Sequence, residues 1–369
     1  MTLQEFLNEW HDGHERLLVH TSGSTGEPKP LWVEKRRMEA SARITCDFLG
    51  LKGGDTALLC MPLDFIAGKM MVVRALERGL RLVSVEPGSH PLRAQTPRVG
   101  SSHHPAATGD TLSGQLLCPG GSHASQLSPV DYPLNQPFDF AAMVPLQVWS
   151  TLQDEAERAR LMAIRHLIIG GGAIDDRLAD ELRAFPNAVW STYGMTETLS
   201  HIALRRLSGP EASEWYTPFA GVGVSLSSEG CLVIDAPHVC AQTLLTNDMA
   251  EIVPATDVDG PSAVRFRILG RRDNVICSGG LKIQIEEVER RLQPHLPVPF
   301  LITKRRDAMF GEAVVLLFEG GASLEDSLRD ACSRVLPKYW VPRFLVPVDQ
   351  LPLTATGKPA RKEAERLAH

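Results

Sequence analysis

Short apolar runs that alternate with amphipathic stretches constrain the fold of this chain more than any other feature. Amphipathic stretches run from Leu31 to Leu51 and from Ala67 to Arg78, and apolar runs follow them at Thr56 to Met61 and Arg81 to Val85. Alternation of helices and strands is typical of a parallel sheet covered by helices. We therefore predict an α/β domain with helices over the two amphipathic stretches.

The alternation resumes downstream and then changes character. A charged helix is predicted at Asp154 to Ala163, followed by a buried strand that ends in the glycines 170–172, and by another strand at Ala188 to Ser191. From Gly221 onward short apolar runs separated by turns predict a small antiparallel β unit. The large domain therefore combines α/β and antiparallel parts.

A domain boundary is predicted at Gly270-Arg271-Arg272-Asp273, because the chain then restarts as a compact α+β unit. We assign 1–272 to a large domain and 273–369 to a small, mobile C-terminal lid domain. Residues 96–137 are rich in Ser, Pro, Gly and His and show no sustained apolar period. They are predicted to be a mobile surface insertion.

Charge and cysteine content exclude several classes of protein. The net charge of the 369 residues is −6, so no basic face for nucleic acid is expected. The seven cysteines form no Cys-x-x-Cys pair, which argues against a disulfide framework or a thiolate zinc site. No signal peptide and no apolar stretch of membrane-spanning length is present, which predicts a cytoplasmic protein.

The stretch from His20 to Lys29 is predicted to be an anion-binding loop. It follows the apolar run 17–19 and reads His-Thr-Ser-Gly-Ser-Thr-Gly-Glu-Pro-Lys. Glycines let backbone N–H groups approach phosphate, and the hydroxyl groups and lysine add further donors. It lacks the Gly-Lys-Ser/Thr ending of a P-loop. Taken alone, such a stretch is also typical of a plain loop.

Four further motifs follow this loop in order along the chain. They are Tyr-Gly-Met-Thr-Glu-Thr at 193–198, Thr-Asn-Asp at 246–248, Gly-Arg-x-Asp-x-x-Ile at 270–276 with Gly279-Gly280 after it, and Gly357-Lys358. Together with the loop they resemble the acyl-adenylate-forming, or AMP-binding, enzymes. The resemblance runs from residue 17 to the end, apart from 96–137. Most relatives have a longer portion before the loop, so a shortened large domain is expected.

The resemblance implies that a carboxylate attacks the α-phosphate of ATP, a reaction that depends on positioning and charge neutralisation. It implies Lys358 as the catalytic lysine, Thr196 as a contact to the α-phosphate and Glu197 as a ligand of Mg²⁺, which prefers oxygen. The implied ATP-binding residues comprise the loop, the glycine turn, an adenine-stacking tyrosine with its glycine, and a ribose-binding pair: Thr21, Ser22, Gly23, Ser24, Thr25, Gly26, Lys29, Gly171, Gly172, Ala173, Tyr193, Gly194, Asp248 and Arg271.

The resemblance also implies a second half-reaction. In the CoA-ligase branch the small domain takes two orientations, with Asp273 at the hinge position and Gly279 and Gly280 lining a tunnel for pantetheine. No carrier domain is attached, so free CoA is the expected thiol acceptor, although a carrier protein in trans stays open. The sequence leaves monomer and homodimer open.

Within the family, the chain most resembles compact O-succinylbenzoate-CoA ligases. This resemblance implies an acid with a second, aromatic carboxylate, for which Lys69, Ser200, His201 and Arg205 are candidates. Phe65 stands where the family often has histidine and is assigned to the acid pocket. Two alternatives stay open: an acyl- or aryl-CoA ligase for another acid, and a non-catalytic nucleotide-binding homologue.

Overall fold

The computed structural model describes residues 1–20, 30–94, 110–118, 126–255, 264–354 and 358–369. The predicted phosphate loop, from Thr21 to Lys29, lies outside these residues, as does Gly357. The first elements of the chain, in order, are α1 (Leu3–Trp10), β1 (Arg16–His20), β2 (Pro30–Glu34), α2 (Lys35–Phe48), β3 (Thr56–Leu59), α3 (Ile66–Arg78) and β4 (Arg81–Ser84).

The middle of the chain supplies the rest of a nine-stranded sheet and three helices on it. In order these elements are β5 (Thr111–Cys118), β6 (Gln126–Pro133), β7 (Phe140–Met143), α4 (Pro145–Leu152), α5 (Glu155–Ala163), β8 (His166–Ile169), α6 (Asp176–Arg183), β9 (Ala188–Gly194), β10 (His201–Arg206) and β11 (Thr217–Pro218).

This sheet has the strand order β11-β10-β9-β8-β7-β3-β4-β5-β6. Its centre, from β9 to β4, is parallel, whereas β10 and β11 on one side and β5 and β6 on the other are antiparallel. The carboxyl ends of the parallel strands therefore meet at one edge, where ligands bind in sheets of this kind.

Apolar side chains cover both faces of the sheet. On one face α2 and α3 bury Met38, Ala42 and Met70. On the other face α4, α5 and α6 contribute Val148, Leu161 and other buried residues to a second core. The two layers of helices hold the parallel strands and confirm the predicted α/β domain.

The prediction of a single helix from Leu31 to Leu51 is wrong at its start. Residues 30–34 form β2, which pairs along its full length with β1, and the helix begins only at Lys35. Trp32 and Val33 are residues that favour strands, and pairing with β1 outweighs the helical apolar spacing. The loop motif therefore connects two paired strands.

Within the predicted mobile surface insertion, 96–137, the described residues include two strands of the large sheet. Strands β5 and β6 pair with each other, and β5 also pairs with β4, so that β6 is the outermost strand of the large sheet. Leu112, Leu117 and Tyr132 are buried. Hydrogen bonds to an existing strand order this segment despite its polar composition.

A separate four-stranded antiparallel sheet follows, as predicted. Its strands, in sheet order, are β12 (Gly223–Leu226), β13 (Cys231–Asp235), β14 (Leu244–Pro254) and β15 (Val264–Arg271). Strand β14 is one long strand with an irregularity between Met249 and Ala250. The irregularity keeps Asp248 opposite Arg271.

The last part of the chain has its own sheet and cores. A single 3-10 turn at Arg272–Asn274 separates β15 from it. Its elements are β16 (Val275–Ser278), β17 (Leu281–Gln284), α7 (Ile285–Leu292), β18 (Phe300–Asp307), β19 (Gly311–Glu319), α8 (Glu325–Val335), β20 (Phe344–Val348) and α9 (Arg361–Leu367).

Helix α1 was not predicted, and a buried lysine anchors it. The Lys35 ammonium donates to the carbonyls of Glu9 at 2.7 Å and Trp10 at 2.9 Å, and to Asp12 Oδ1 at 2.8 Å. Phe6 of α1 is fully buried in the core shared with α2 and α3. The amino-terminal helix is thereby part of the large domain.

The described residues contain no helix that is both long and apolar enough to cross a membrane. All seven cysteines fall within the described ranges and are free.

Candidate active site

The glycine turn after β8 lies at the carboxyl edge of the sheet, in close contact with β9. A Cβ on Gly170 would lie 2.3 Å from Thr192 Oγ1, and Gly171 has φ +79°. Only glycine permits this close approach and this backbone conformation without strain. The turn therefore packs tightly against β9.

The segment after β9 is a tight turn that presents Thr196 and Glu197. The Thr198 hydroxyl accepts from the backbone N–H of Met195 at 3.0 Å and lies 2.7 Å from the carbonyl of Ser200. Leu199 adopts φ 65°, which is uncommon for a residue with a side chain. Thr196 is buried and Glu197 is exposed. The turn thus places one hydroxyl and one carboxylate at the carboxyl edge.

Tyr193, Asp248, Arg271 and Asp273 form a chain of polar contacts. The Tyr193 hydroxyl donates to Asp248 Oδ2 at 2.7 Å, and Arg271 binds Asp248 Oδ1 at 3.2 Å and Asp273 Oδ2 at 2.9 Å. Burial, together with Asp248, raises the pKa of Tyr193. Four of the residues that the sequence assigned to nucleotide binding and the hinge are therefore connected.

Lys358 is half-buried, and its electrostatic surroundings include two members of this line of polar contacts. Burial lowers its pKa first of all, Arg271 lowers it further, and Asp248 opposes the shift. Arg271 and Asp248 therefore act electrostatically on Lys358, which places the predicted lysine in the neighbourhood of the predicted ribose-binding pair.

The predicted acid-pocket residues are not all brought together. Phe65 is the N-cap of α3 and is half-buried. The ammonium of Lys69 contacts Met1 Sδ at 3.2 Å and lies 5.1 Å from the centre of the Phe6 ring. Lys69 thus packs against α1, whereas Ser200 and His201 follow the turn after β9. Arg205 lies over the Tyr216 ring at 5.4 Å.

Arg74 is the residue that the sequence interpretation missed. It is 2% exposed, and its Nη2 donates to Ser200 Oγ at 2.7 Å. Its Nε has no partner among the described residues, and Met71 Sδ is 4.0 Å from Nη1. Burial lowers the pKa of Arg74 to about 10. An arginine directly after the apolar run Met70 to Val73, on the same amphipathic stretch, was the available signal.

The glycine hairpin of the last sheet has the backbone that glycine requires. Gly279 and Gly280 have φ +57° and +83°, and a Cβ on Gly279 would approach the Phe310 ring to 3.0 Å. The hairpin joins β16 and β17.

Comparison with known families decides the relationship. Residues 8–242 match the family described as AMP-binding enzyme, and residues 304–358 match the AMP-binding enzyme C-terminal domain. The chain belongs to the AMP-binding enzymes. The predicted relationship is confirmed, and with it the assignment of this AMP-binding enzyme to the acid–thiol ligases.

Curated relatives of this AMP-binding enzyme include 2-succinylbenzoate–CoA ligases. That of Bacillus cytotoxicus is 23% identical over 378 residues, which span 95% of this chain and 69% of the relative. That of Geobacillus kaustophilus is 26% identical over 381 residues, with 95% and 69% covered.

Solved structures share the fold. An acyl-CoA synthetase (AMP-forming)/AMP-acid ligase II-like protein from Dyadobacter fermentans is 30% identical, with a TM-score of 0.56 and coverage of 97% of this chain and 91% of that one. O-succinylbenzoate coenzyme A synthetase from Bacillus subtilis, in complex with ATP and magnesium, is 22% identical, with a TM-score of 0.65 and coverage of 94% and 69%. The predicted fold class is confirmed.

Proposed function

We propose that this AMP-binding enzyme converts O-succinylbenzoate and ATP to an acyl-adenylate and pyrophosphate, and then transfers the acyl group to CoA with release of AMP. The observation that carries the proposal is the line of contacts from Tyr193, at the end of β9, through Asp248 to Arg271, with Lys358 under the electrostatic influence of both charged residues. Residues 1–272 form the ATP- and acid-binding domain and 273–369 the lid domain that supplies Lys358.

In the first half-reaction a carboxylate oxygen of the acid bonds to the α-phosphorus, and the bond to pyrophosphate breaks. The ammonium of Lys358 offsets the negative charge that the two reactants bring together. The Thr196 hydroxyl donates to the α-phosphate. Residues 21–29, between β1 and β2, hold the β- and γ-phosphates.

Nucleoside recognition uses both the glycine turn and the polar contacts that connect Tyr193, Asp248 and Arg271. Asp248 accepts from the ribose hydroxyls, and Tyr193 and Arg271 hold its carboxylate in place. The adenine lies along the glycine turn at Gly171, Gly172 and Ala173, with the Tyr193 ring beside it.

Glu197 fits a magnesium ligand. Its carboxylate is exposed at the carboxyl edge and has no hydrogen-bond partner among the described residues. Carboxylate oxygen is the donor that Mg²⁺ prefers, and this cation usually binds through one or two carboxylates together with substrate phosphates. When bound, Mg²⁺ neutralises phosphate charge.

In the second half-reaction the CoA sulfur bonds to the acyl carbon, the bond to AMP oxygen breaks and the thiol proton leaves. Asp273 acts as the hinge for the second orientation, in which Gly279 and Gly280 line the path of the thin pantetheine arm. Both cosubstrates, ATP and CoA, are abundant in the cytoplasm, where we place the reaction.

Arg74 favours an acid that has a second carboxylate. A buried guanidinium with one hydroxyl and one thioether sulfur as neighbours leaves most of its five N–H donors without acceptors among the described residues. A buried charge is stable when it is paired. The aromatic carboxylate of O-succinylbenzoate supplies this partner and can accept two N–H groups.

A pyrophosphate-release assay with several acids tests the substrate. We expect kcat/KM for O-succinylbenzoate to exceed that for β-benzoylpropionate, which lacks the aromatic carboxylate, and Arg74→Gln to remove this preference. The expected loss for O-succinylbenzoate is about 100-fold, because the substrate carboxylate then lacks its charged partner.

Arg78→Gln is the matched control on the same helix. Arg78 pairs with Asp47 at the surface, so its replacement leaves the preference unchanged. A preference of the wild type for benzoates or fatty acids would contradict the substrate and favour another acid–CoA ligase. Binding of ATP without acyl-adenylate formation from any acid would contradict the catalytic function.

A further inference from the structure

Thr45, His201, Ser200 and Arg74 form a continuous line of hydrogen bonds behind the proposed carboxylate subsite. Thr45 Oγ1 and His201 Nε2 are 3.0 Å apart, and His201 Nδ1 and Ser200 Oγ are 3.1 Å apart. The line connects α2 to α3 through the first residue of β10. All of it except Ser200 is buried.

At the Thr45 end of this line, helix α2 determines which group donates and which accepts the hydrogen bond. Thr45 Oγ1 donates its single hydrogen to the carbonyl of Ser41 at 3.1 Å. The Thr45 oxygen must therefore accept from His201 Nε2–H. A neutral imidazole protonated at Nε2 has its lone pair at Nδ1, which accepts from the Ser200 hydroxyl.

His201 is neutral in these surroundings. Burial lowers its pKa well below the usual range, and Arg74 lowers it further. Arg74 from α3 is the charged group that faces it, Thr45 faces it from α2, and the Phe219 ring packs 5.5 Å away. With its hydrogen donated to His201, Ser200 Oγ offers only lone pairs to Arg74 Nη2.

We propose that His201 is a positioning residue: together with Thr45 it makes Ser200 a pure acceptor, which fixes the guanidinium of Arg74 for a second substrate carboxylate. Ser200 occupies one N–H of Arg74, so the remaining donors are directed to the anion. This inference rests on the proposed function, since it explains how the preference for a dicarboxylate is set.

The kinetic test compares two acids across matched variants. His201→Phe removes both hydrogen bonds of the ring, and we expect kcat/KM for O-succinylbenzoate to fall about 10- to 100-fold more than that for β-benzoylpropionate, mainly through KM. His201→Gln retains a donor and an acceptor and restores most of the preference. Equal losses for both acids in His201→Phe would overturn the proposal.

Substitutions of Thr45 test the same line of hydrogen bonds with a smaller change of side chain. Thr45→Val keeps the shape of the side chain and removes the acceptor, so the preference falls, whereas Thr45→Ser keeps the acceptor and retains it. An unchanged preference in Thr45→Val would contradict the assigned direction.

A spectroscopic readout separates this inference from the substrate assignment. NMR of the imidazole nitrogens in the free wild-type enzyme should show His201 protonated at Nε2 only, with no titration between about pH 5.5 and 8.5. A proton on Nδ1, or titration near the ordinary pKa, overturns the proposal whatever the substrate. If the wild type shows this tautomer but no preference for the dicarboxylate, the proposed substrate fails and the direction of the hydrogen bonds stands.

Discussion

The surroundings of Lys358 lower the pH at which its side chain loses its charge. Burial disfavours the ammonium and Arg271 repels it, so its pKa is lower than the ordinary value of 10.5, although Asp248 attracts it. The charged form is the one that offsets the negative charge of the reactants. The free enzyme therefore loses its active form as the pH rises through the lowered pKa.

The alkaline limb of the pH profile tests this point. We expect kcat/KM for acyl-adenylate formation to decrease as the pH rises, with the midpoint of the decrease below pH 10.5. Lys358→Arg should move this decrease to higher pH, because a guanidinium stays protonated. The rate of Lys358→Arg can be lower throughout, so the position of the limb is the measurement. If the alkaline limb lies at the same pH in Lys358→Arg as in the wild type, a group other than Lys358 is responsible for it.

The sequence and the structure agree at some residues of the site and differ at others. Tyr193, Asp248, Arg271 and Lys358 lie in recognisable motifs, and the structure brings them together. Arg74 lies in no motif, and its importance depends on Ser200, 126 positions away in the chain. A contact between distant segments is determined by packing, which spacing along the chain does not reveal.

At the scale of elements, α1 depends on one side chain from α2. Lys35→Met removes the donor to the carbonyls of Glu9 and Trp10 at the end of this helix. A buried acceptor without its partner costs about 1–3 kcal/mol. We expect Lys35→Met to unfold at a lower urea midpoint with an unchanged m value. Unfolding is measured by tryptophan fluorescence, to which Trp10 contributes.

Lys52→Met is the control for this prediction, because Lys52 is exposed and its side chain makes no hydrogen bond among the described residues. A loss of stability in Lys52→Met equal to that in Lys35→Met would show that the charge itself, and not the capping of α1, is responsible.

Local patterns predicted the elements that bury one continuous face. The helices α3 and α5 were predicted close to their observed bounds. Strands β2, β5 and β6 were not, since each is stabilised by pairing with a neighbouring strand, which a local pattern does not reveal. β-propensity reflects packing on a sheet more than an intrinsic preference of the backbone.

At the scale of the whole molecule, the position of Lys358 corresponds to the first of two proposed orientations. An ion pair between Arg290 of α7 and Asp176 of α6, 3.6 Å apart, joins the two proposed domains in this arrangement. Both partners are largely exposed, and such pairs contribute at most about 1 kcal/mol. This ion pair therefore adds little to the stability of the arrangement.

Lys358→Ala separates the two half-reactions. We expect acyl-adenylate formation to fall about 100- to 1000-fold, as when one charge-stabilising group is removed. Conversion of supplied acyl-adenylate and CoA to thioester should stay within about threefold, because Lys358 then lies away from the site. Stopped assays of each step give both rates. Equal loss of both steps would contradict the two orientations.

The outermost strand of the large sheet, β6, has a consequence for how these molecules behave at high concentration. Pro129 and Pro133 stand opposite Gln115 and Thr111 at an even spacing, so both nitrogens point to the same side of the strand. A proline is tolerated in a ladder where its nitrogen faces away from the partner strand. The free edge therefore lacks two of the N–H groups that an approaching strand would need, which protects the sheet from edge-to-edge aggregation.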